Sequence, residues 1–308
     1  MKKTAENRYP HSATLFKFCK EALEIRYEGN VKVIDQDVGA ILGYDPADCS
    51  HWKKGKKNIR ALATLRSIAD HLNIDERLLI DIASGSVGLD EAVFEYRGYG
   101  AFAIQGRSLE NLKKEFFKNP TRWQSEGSMR TFEELFDVDR PSVVKAAQAV
   151  LSKGNFSEAP VYLPEVFALF EDIKLVSDET LSQPVVVTTG APGAGANETS
   201  TTSAVTTISY RGPEMRPFVR FIAAKELFRH LCVTRHPLAA KFLNNPPEVI
   251  DIQGNVFAGL LLVPGALLRK EVENINSSLD IVLQLADTFW VSKALMNQRL
   301  RDYMEHLD

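Results

Sequence analysis

Residues 51–60, HWKKGKKNIR, hold five Lys/Arg and no acid. Positive charge at that density suits the phosphates of nucleic acid, and the competing reading is a solvated helix end, since helix C-termini are commonly basic. A second group, KELFRH at 225–230, sets Glu226 and His230 four residues apart, on one face of any helix that carries them. A carboxylate and an imidazole so placed can serve as base and ligand in metal-assisted hydrolysis, but zinc asks for more nitrogen or sulfur ligands than one histidine supplies. The alternative is that His230 packs in the interior and Glu226 pairs with Lys225 or Arg229. A third run, GAPGAG at 190–195, lacks the GK[ST] ending of a phosphate-binding loop and opens no convincing helix. Residues 190–204, small, polar and glycine-rich, read as a flexible loop, and no cofactor is expected.

The chain that carries these groups has 308 residues, a formal net charge of −3 and 44% apolar residues. That length argues for more than one domain. The average charge argues against nucleic acid, but it hides the local field of 51–60. No uncharged apolar run reaches the ~18 residues of a membrane span, and no apolar stretch follows the two lysines of the first residues. The expectation is a soluble, cytoplasmic protein. Cys19, Cys49 and Cys232 are far apart and odd in number, so neither a disulfide framework nor a cysteine zinc site is indicated.

Short helices must position the basic run. Leu15, Phe18, Cys19, Ala22 and Ile25 recur at helical spacing over 12–26, with Ser12 as a cap. Asp35 or Asp37 can cap a second helix bearing Val38, Ile41 and Leu42, which Gly43 ends. Asp45-Pro46-Ala47-Asp48 has a helix-start signature: a capping carboxylate, proline at the first position and acid in the first turn. That third helix stops at Gly55; a fourth runs from Ile59 to Leu72 and a fifth over about 75–83. Farther on, FEYRGYGAFAIQG reads as a strand pair or hinge, and 108–118 and 141–153 as helices. Helix-then-strand over 160–176, strands at 185–189 and 208–210 and a helix over 216–233 give the later part an α/β texture.

The run VGAILGYDPADCSHWKKGKKNIRALATLRSIADHLNIDERLL resembles the Xre (Cro-repressor type) family of helix-turn-helix regulators, through Leu42, Gly43, Ser50, Trp52, Gly55, Leu65, Ile68, Ala69, Leu72, Leu78 and Leu79. The likeness covers about 36–83. It departs from the family at Lys53, often Glu there, at Gly39, often Ala, and by one extra residue between Gly55 and Leu65. The resemblance implies that the third helix enters the major groove of DNA. Ala47, Asp48, Ser50 and His51 then face base edges, Asp48 by accepting from cytosine N4, while Lys53, Lys54, Lys56 and Lys57 reach phosphates. Trp52 and Cys49 read as core residues.

RPFVRFIAAKELFRHL and GNVFAGLLLVPGALLRKEV, then LADTFWVSKALMNQRL, resemble in order three blocks of the ImmA/IrrE family of metallopeptidase-like domains, over about 160–303. The family's two zinc-binding histidines align with Lys225 and Arg229, and its third ligand with Asp251. Glu226 alone stays in the general-base position. Two cations in place of two ligands imply that zinc binding is lost. A shifted site of Glu226 and His230 with Asp251 or His236 is the alternative.

These readings predict a mainly α chain with a smaller α/β part. A helix-turn-helix bundle spans 1–85, a helical connecting or dimerisation region 86–157, and a metallopeptidase-like α+β domain 158–308. The expected function is sequence-specific, DNA-binding transcription regulation, with a catalytically degenerate sensor or interaction domain and no enzyme activity. The expected partners are double-stranded DNA, a second copy in a homodimer, and a small anionic ligand or a protein at the Lys225, Glu226, Arg229, His230 and Asp251 cleft, with no membrane. Two rivals are a metal-dependent endopeptidase that cleaves a repressor with Glu226 as base, and an antitoxin-like or anti-repressor interaction protein.

Overall fold

In the computed structural model, the apolar spacing near the N-terminus becomes α1 (Pro10–Arg26), which buries Leu15, Phe16, Phe18 and Ala22. The structure describes residues 8–27, 32–97, 116–119, 131, 138–181, 183–189, 205–212, 215–275 and 280–305. The chain is mainly helical with one small mixed sheet. It divides into two units, Met1–Gly98 and Tyr99–Asp308.

In the first unit, α1 starts earlier than expected and Ser12 is not its cap. Pro10, with φ preset and no N–H to lose, opens the helix. Ser12 instead lies buried in α1, where its Oγ accepts from Ile59 N at 3.0 Å and its carbonyl accepts from Trp52 Nε1 at 2.8 Å. Asp37 closes the start of α2 (Asp35–Ala40) by accepting from Ile34 N at 2.8 Å. Asp45 does the same for α3 (Pro46–Lys53), accepting from Asp48 N at 2.8 Å. The turn between α2 and α3 contains Gly43 at φ +65, and Gly55 at φ +60 follows α3. Gly39 has a steric reason to lack a side chain: an added Cβ would lie 2.9 Å from Cys49 Cβ, and Cys49 Sγ is held by a 2.8 Å hydrogen bond to Asp35 O.

The fourth helix, α4 (Leu62–Leu72), begins three residues later than the apolar pattern suggested, because Ile59 is buried in extended chain with its N–H given to Ser12. It is followed by α5 (Glu76–Ser84), capped by Asp75, and α6 (Leu89–Arg97). The described part of FEYRGYGAFAIQG, residues 94–97, is thus helix and not strand. Ala92 is buried, and Tyr96 meets the Phe18 ring edge to face at 5.9 Å, so α6 closes the core of the first unit. Residues 98–107, with the rest of that expected strand pair, and 108–115 lie outside the described residues; Phe116 to Lys118 are helical.

The second unit holds α7 (Arg140–Gly154), α8 (Leu163–Phe167), β1 (Ile173–Ser177), β2 (Val185–Thr189) and β3 (Thr206–Tyr210). After them come α9 (Pro217–Val233), α10 (Pro247–Leu262), α11 (Gly265–Glu273), α12 (Ile281–Phe289) and α13 (Lys293–Glu305). The region expected to connect the ends therefore gives α6 to the first unit and α7 to the second. In the sheet, β3 lies between β1, to which it runs parallel, and β2, to which it runs antiparallel; Ile208 pairs with Leu175 and with Val187. α9 packs against the strands and against α10, and α10 also rests on α7. α10 is buried almost throughout, which its run of apolar residues from Val249 to Leu262 requires. Residues 190–204, read as a loop, lie outside the described residues. Cys19, Cys49 and Cys232 are buried free thiols. Among the described residues no single helix is long and apolar enough to cross a membrane.

Candidate functional site

On α3 the side chains sort by helical spacing. Cys49 and Trp52 turn inward; Trp52 is wholly buried, with the Phe16 ring at 5.2 Å and Tyr44 at 6.0 Å, both edge to face. Ala47, Ser50, His51 and Lys54 stand at i, i+3, i+4 and i+7 and share the opposite face. Ala47, His51 and Lys54 are exposed and Ser50 is half-buried. The C-terminal end of α3 is fixed, since Tyr9 N donates to Gly55 O at 2.8 Å and Trp52 is tied to α1. A buried aromatic anchor thus holds a short helix with a small, largely neutral stripe facing out.

The basic residues divide into engaged and unengaged sets. Lys53 pairs with Asp35 at 2.5 Å, and Lys20 reaches the same carboxylate at 3.5 Å. The Lys53 hydrogen bond is the main reason that the Asp35 carboxyl sits below its ordinary range, against a smaller opposing effect of burial. Lys57 pairs with Asp48 at 2.9 Å and lies 3.7 Å over the Tyr44 ring, so the Asp48 carboxylate is occupied within its own unit. Its ammonium is held above the usual range, first by Asp48. Lys54, Lys56 and His51 are exposed and make no ion pair among the described residues. Exposed pairs such as Lys53 with Asp35 are worth about 0–1 kcal/mol, so an approaching phosphate can take over either lysine at small cost. All four lysines expected at phosphates therefore lie along or just after the end of α3, two of them poised and two exchangeable.

The second cluster lies between α9 and α10. Asp251, 5% exposed, draws in two cations on one oxygen: Lys225 Nζ at 2.8 Å and Arg229 Nη2 at 2.9 Å from Oδ1. Arg229 Nη1 also meets Glu226 Oε1 at 3.3 Å. Gly254 makes this approach feasible, since a Cβ there would lie 3.1 Å from Lys225 Cγ. The two cations and two carboxylates balance one another, and Glu226 is a partner in an ion-pair network.

His230 takes a different direction. It is buried, its Nδ1 lies 3.1 Å from Thr206 Oγ1 on β3, and its Nε2 lies 2.9 Å from Asp172 Oδ2 without the angle of a formed hydrogen bond. Glu226 and His230 are four apart in sequence yet have separate partners. His236 accepts from Leu238 N and edges the Phe170 ring, and burial, then the Lys153 charge, lowers its pKa. Among the described residues no three His, Cys, Asp or Glu side chains are grouped to hold a metal.

Burial raises the Glu226 pKa, with Arg229 and Lys225 opposing and Asp251 adding to the rise. A carboxyl with a raised folded pKa costs nothing below its unfolded pKa and destabilises progressively as pH rises through the folded value. Glu226→Gln removes that destabilisation. Its melting temperature relative to the unmodified chain is therefore expected to climb as pH rises above the ordinary carboxylate range; a flat or falling difference would place Glu226 in a net-favourable ionised pair.

Comparison with protein-family models, with curated proteins and with solved structures gives no match.

Proposed function

We propose that the chain is a sequence-specific DNA-binding transcription regulator whose first unit is a helix-turn-helix module of the Xre type. The observation that carries this reading is the orientation of α3. Its apolar residues, Trp52 and Cys49, are inside, and Ala47, Ser50, His51 and Lys54 line the outside with Lys56 beyond them. A helix that is to enter the ~12 Å major groove needs small groups where it meets base edges and cations where it passes the backbone. Asp45 and Asp48 keep the first turn acidic, which opposes phosphate there. It favours base edges that donate, such as the cytosine N4 amino group, once Lys57 moves to a phosphate and releases Asp48.

The second unit is, on this reading, an ImmA/IrrE-like domain in which the Lys225, Glu226, Arg229 and Asp251 network replaces a catalytic metal site and leaves a sensing or partner-binding role. A homodimer is expected, because modules of this kind read paired half-sites.

The test is selection of bound duplexes from a random pool. One discrete sequence, recurring as two half-sites about 34–36 Å apart, supports the regulator. A pool that emerges unenriched would move the function to protein recognition by the same surface.

A further inference from the structure

A cleft of about 450 Å³ opens in the second unit between α7, the α10–α11 turn and α13. It is separate from the Glu226 network. α7 has an apolar arc that reaches beyond its buried side: Val143, Ala146, Ala147 and Val150 are in the core, while the half-buried Val144 and Leu151, with Ala147, line the cleft. Leu260 and Leu267 form the facing wall. The volume falls within the ~300–1,000 Å³ usual for small-molecule sites.

Among the described residues one charged side chain lines this largely apolar space. Arg299 is 5% exposed, gives Nε and Nη2 to Val263 O at 3.3 and 3.2 Å, and reaches Asp302 Oδ2 with Nη1 at 3.2 Å. That same Asp302 oxygen accepts from Arg140 Nη2 at 2.7 Å. Two guanidiniums thus share one carboxylate oxygen, Arg299 at the cleft wall and the one-third-exposed Arg140 outside the cleft lining. Burial raises the Asp302 pKa, but hydrogen bonds from Arg140 and Gln298 prevail and the net shift is downward, so the carboxylate stays ionised between the two arginines. A guanidinium at the wall of a largely apolar cleft is a charge-assisted donor for an anion that enters there. Gln148, Ser152 and Asn155 add polar groups on the α7 side.

We propose that this cleft binds a small amphiphile whose single anionic head lies at Arg299 and whose apolar body fills the space between α7 and the Leu260 and Leu267 wall. This deepens the sensing role given to the second unit, and its test reads binding to the chain without DNA, so the two ideas can fail separately.

The probes are 2-naphthoate and octanoate, each set against its uncharged counterpart, 2-naphthol and octanol, in calorimetric titration of the full chain. The expected result is saturable, one-per-chain binding of at least one anion, about tenfold or more tighter than its uncharged partner. Ala266→Trp, at an exposed lining position where an indole can enter the cleft without disturbing the core, should weaken it by about tenfold or more. Arg299→Gln should erase the preference for charge; because Arg299 also holds Val263 and Asp302, the Ala266→Trp result stands even if that variant fails to fold. No saturable binding of either anion, equal affinity for the uncharged partners, or binding indifferent to Ala266→Trp would overturn the proposal.

Discussion

Trp52→Ala is expected to unfold the first unit or leave it marginal. The side chain is wholly buried, packs edge to face on Phe16 and Tyr44, and donates to Ser12 O at 2.8 Å. Truncating a buried tryptophan costs about 3–5 kcal/mol, against a typical total of about 5–15 kcal/mol for a domain. The carbonyl of Ser12 also loses its donor, which adds a penalty of about 1 kcal/mol. Trp52→Phe keeps a ring in the gap and loses the hydrogen bond, so it should fall between. Urea unfolding followed by circular dichroism checks this; a Trp52→Ala chain within about 1 kcal/mol of the original would mean that the site collapses freely around the missing ring.

Asp251→Ala should cost about 3 kcal/mol, the largest single effect expected in the second unit. It leaves Lys225, whose side chain is 16% exposed, without its counter-ion, and frees the half-exposed Arg229 to turn toward solvent. Lys225 has little room to follow, because its side chain is largely buried between α9 and α10. Breaking a buried pair and replacing one are different operations: the first strands a charge, the second removes it. The double variant Asp251→Leu/Lys225→Met should accordingly recover most of the lost stability in urea titration. An Asp251→Ala protein as stable as the original, or a double variant no better than the single, would show that water reaches the cluster and screens it.

What the residues disclosed in advance depended on how far away their partners lie. Asp45-Pro46 marks the start of α3 because both act on groups within one turn. Trp52 could be assigned to the core because it shares one face of α3 with Cys49, three residues before it. Ser12 read as a cap, by the same local logic, but its partners Trp52 and Ile59 are 40 and 47 residues on. Glycines at 98 and 100 drew 94–106 toward a turn, whereas the spacing of Leu89, Ala92, Val93 and Tyr96, all packed on the first core, carries the helix. The Glu226 network was visible as a set of residues and not as geometry, since which carboxylate takes Lys225 depends on how α9 meets α10. Nothing in the sequence joins Arg140 to Asp302 across 162 residues, so the cleft beside Arg299 was found only in the folded chain.

The central claim is that the face of α3 and the lysines after it bind DNA. It is tested most directly by titrating a selected duplex at several salt concentrations with the original chain, Lys54→Ala and Lys56→Ala. Each substitution should weaken binding and reduce the slope of log K against log salt by about one, because each removes one exposed cation without touching the core. Affinity indifferent to salt, or unchanged in both variants, would contradict the claim.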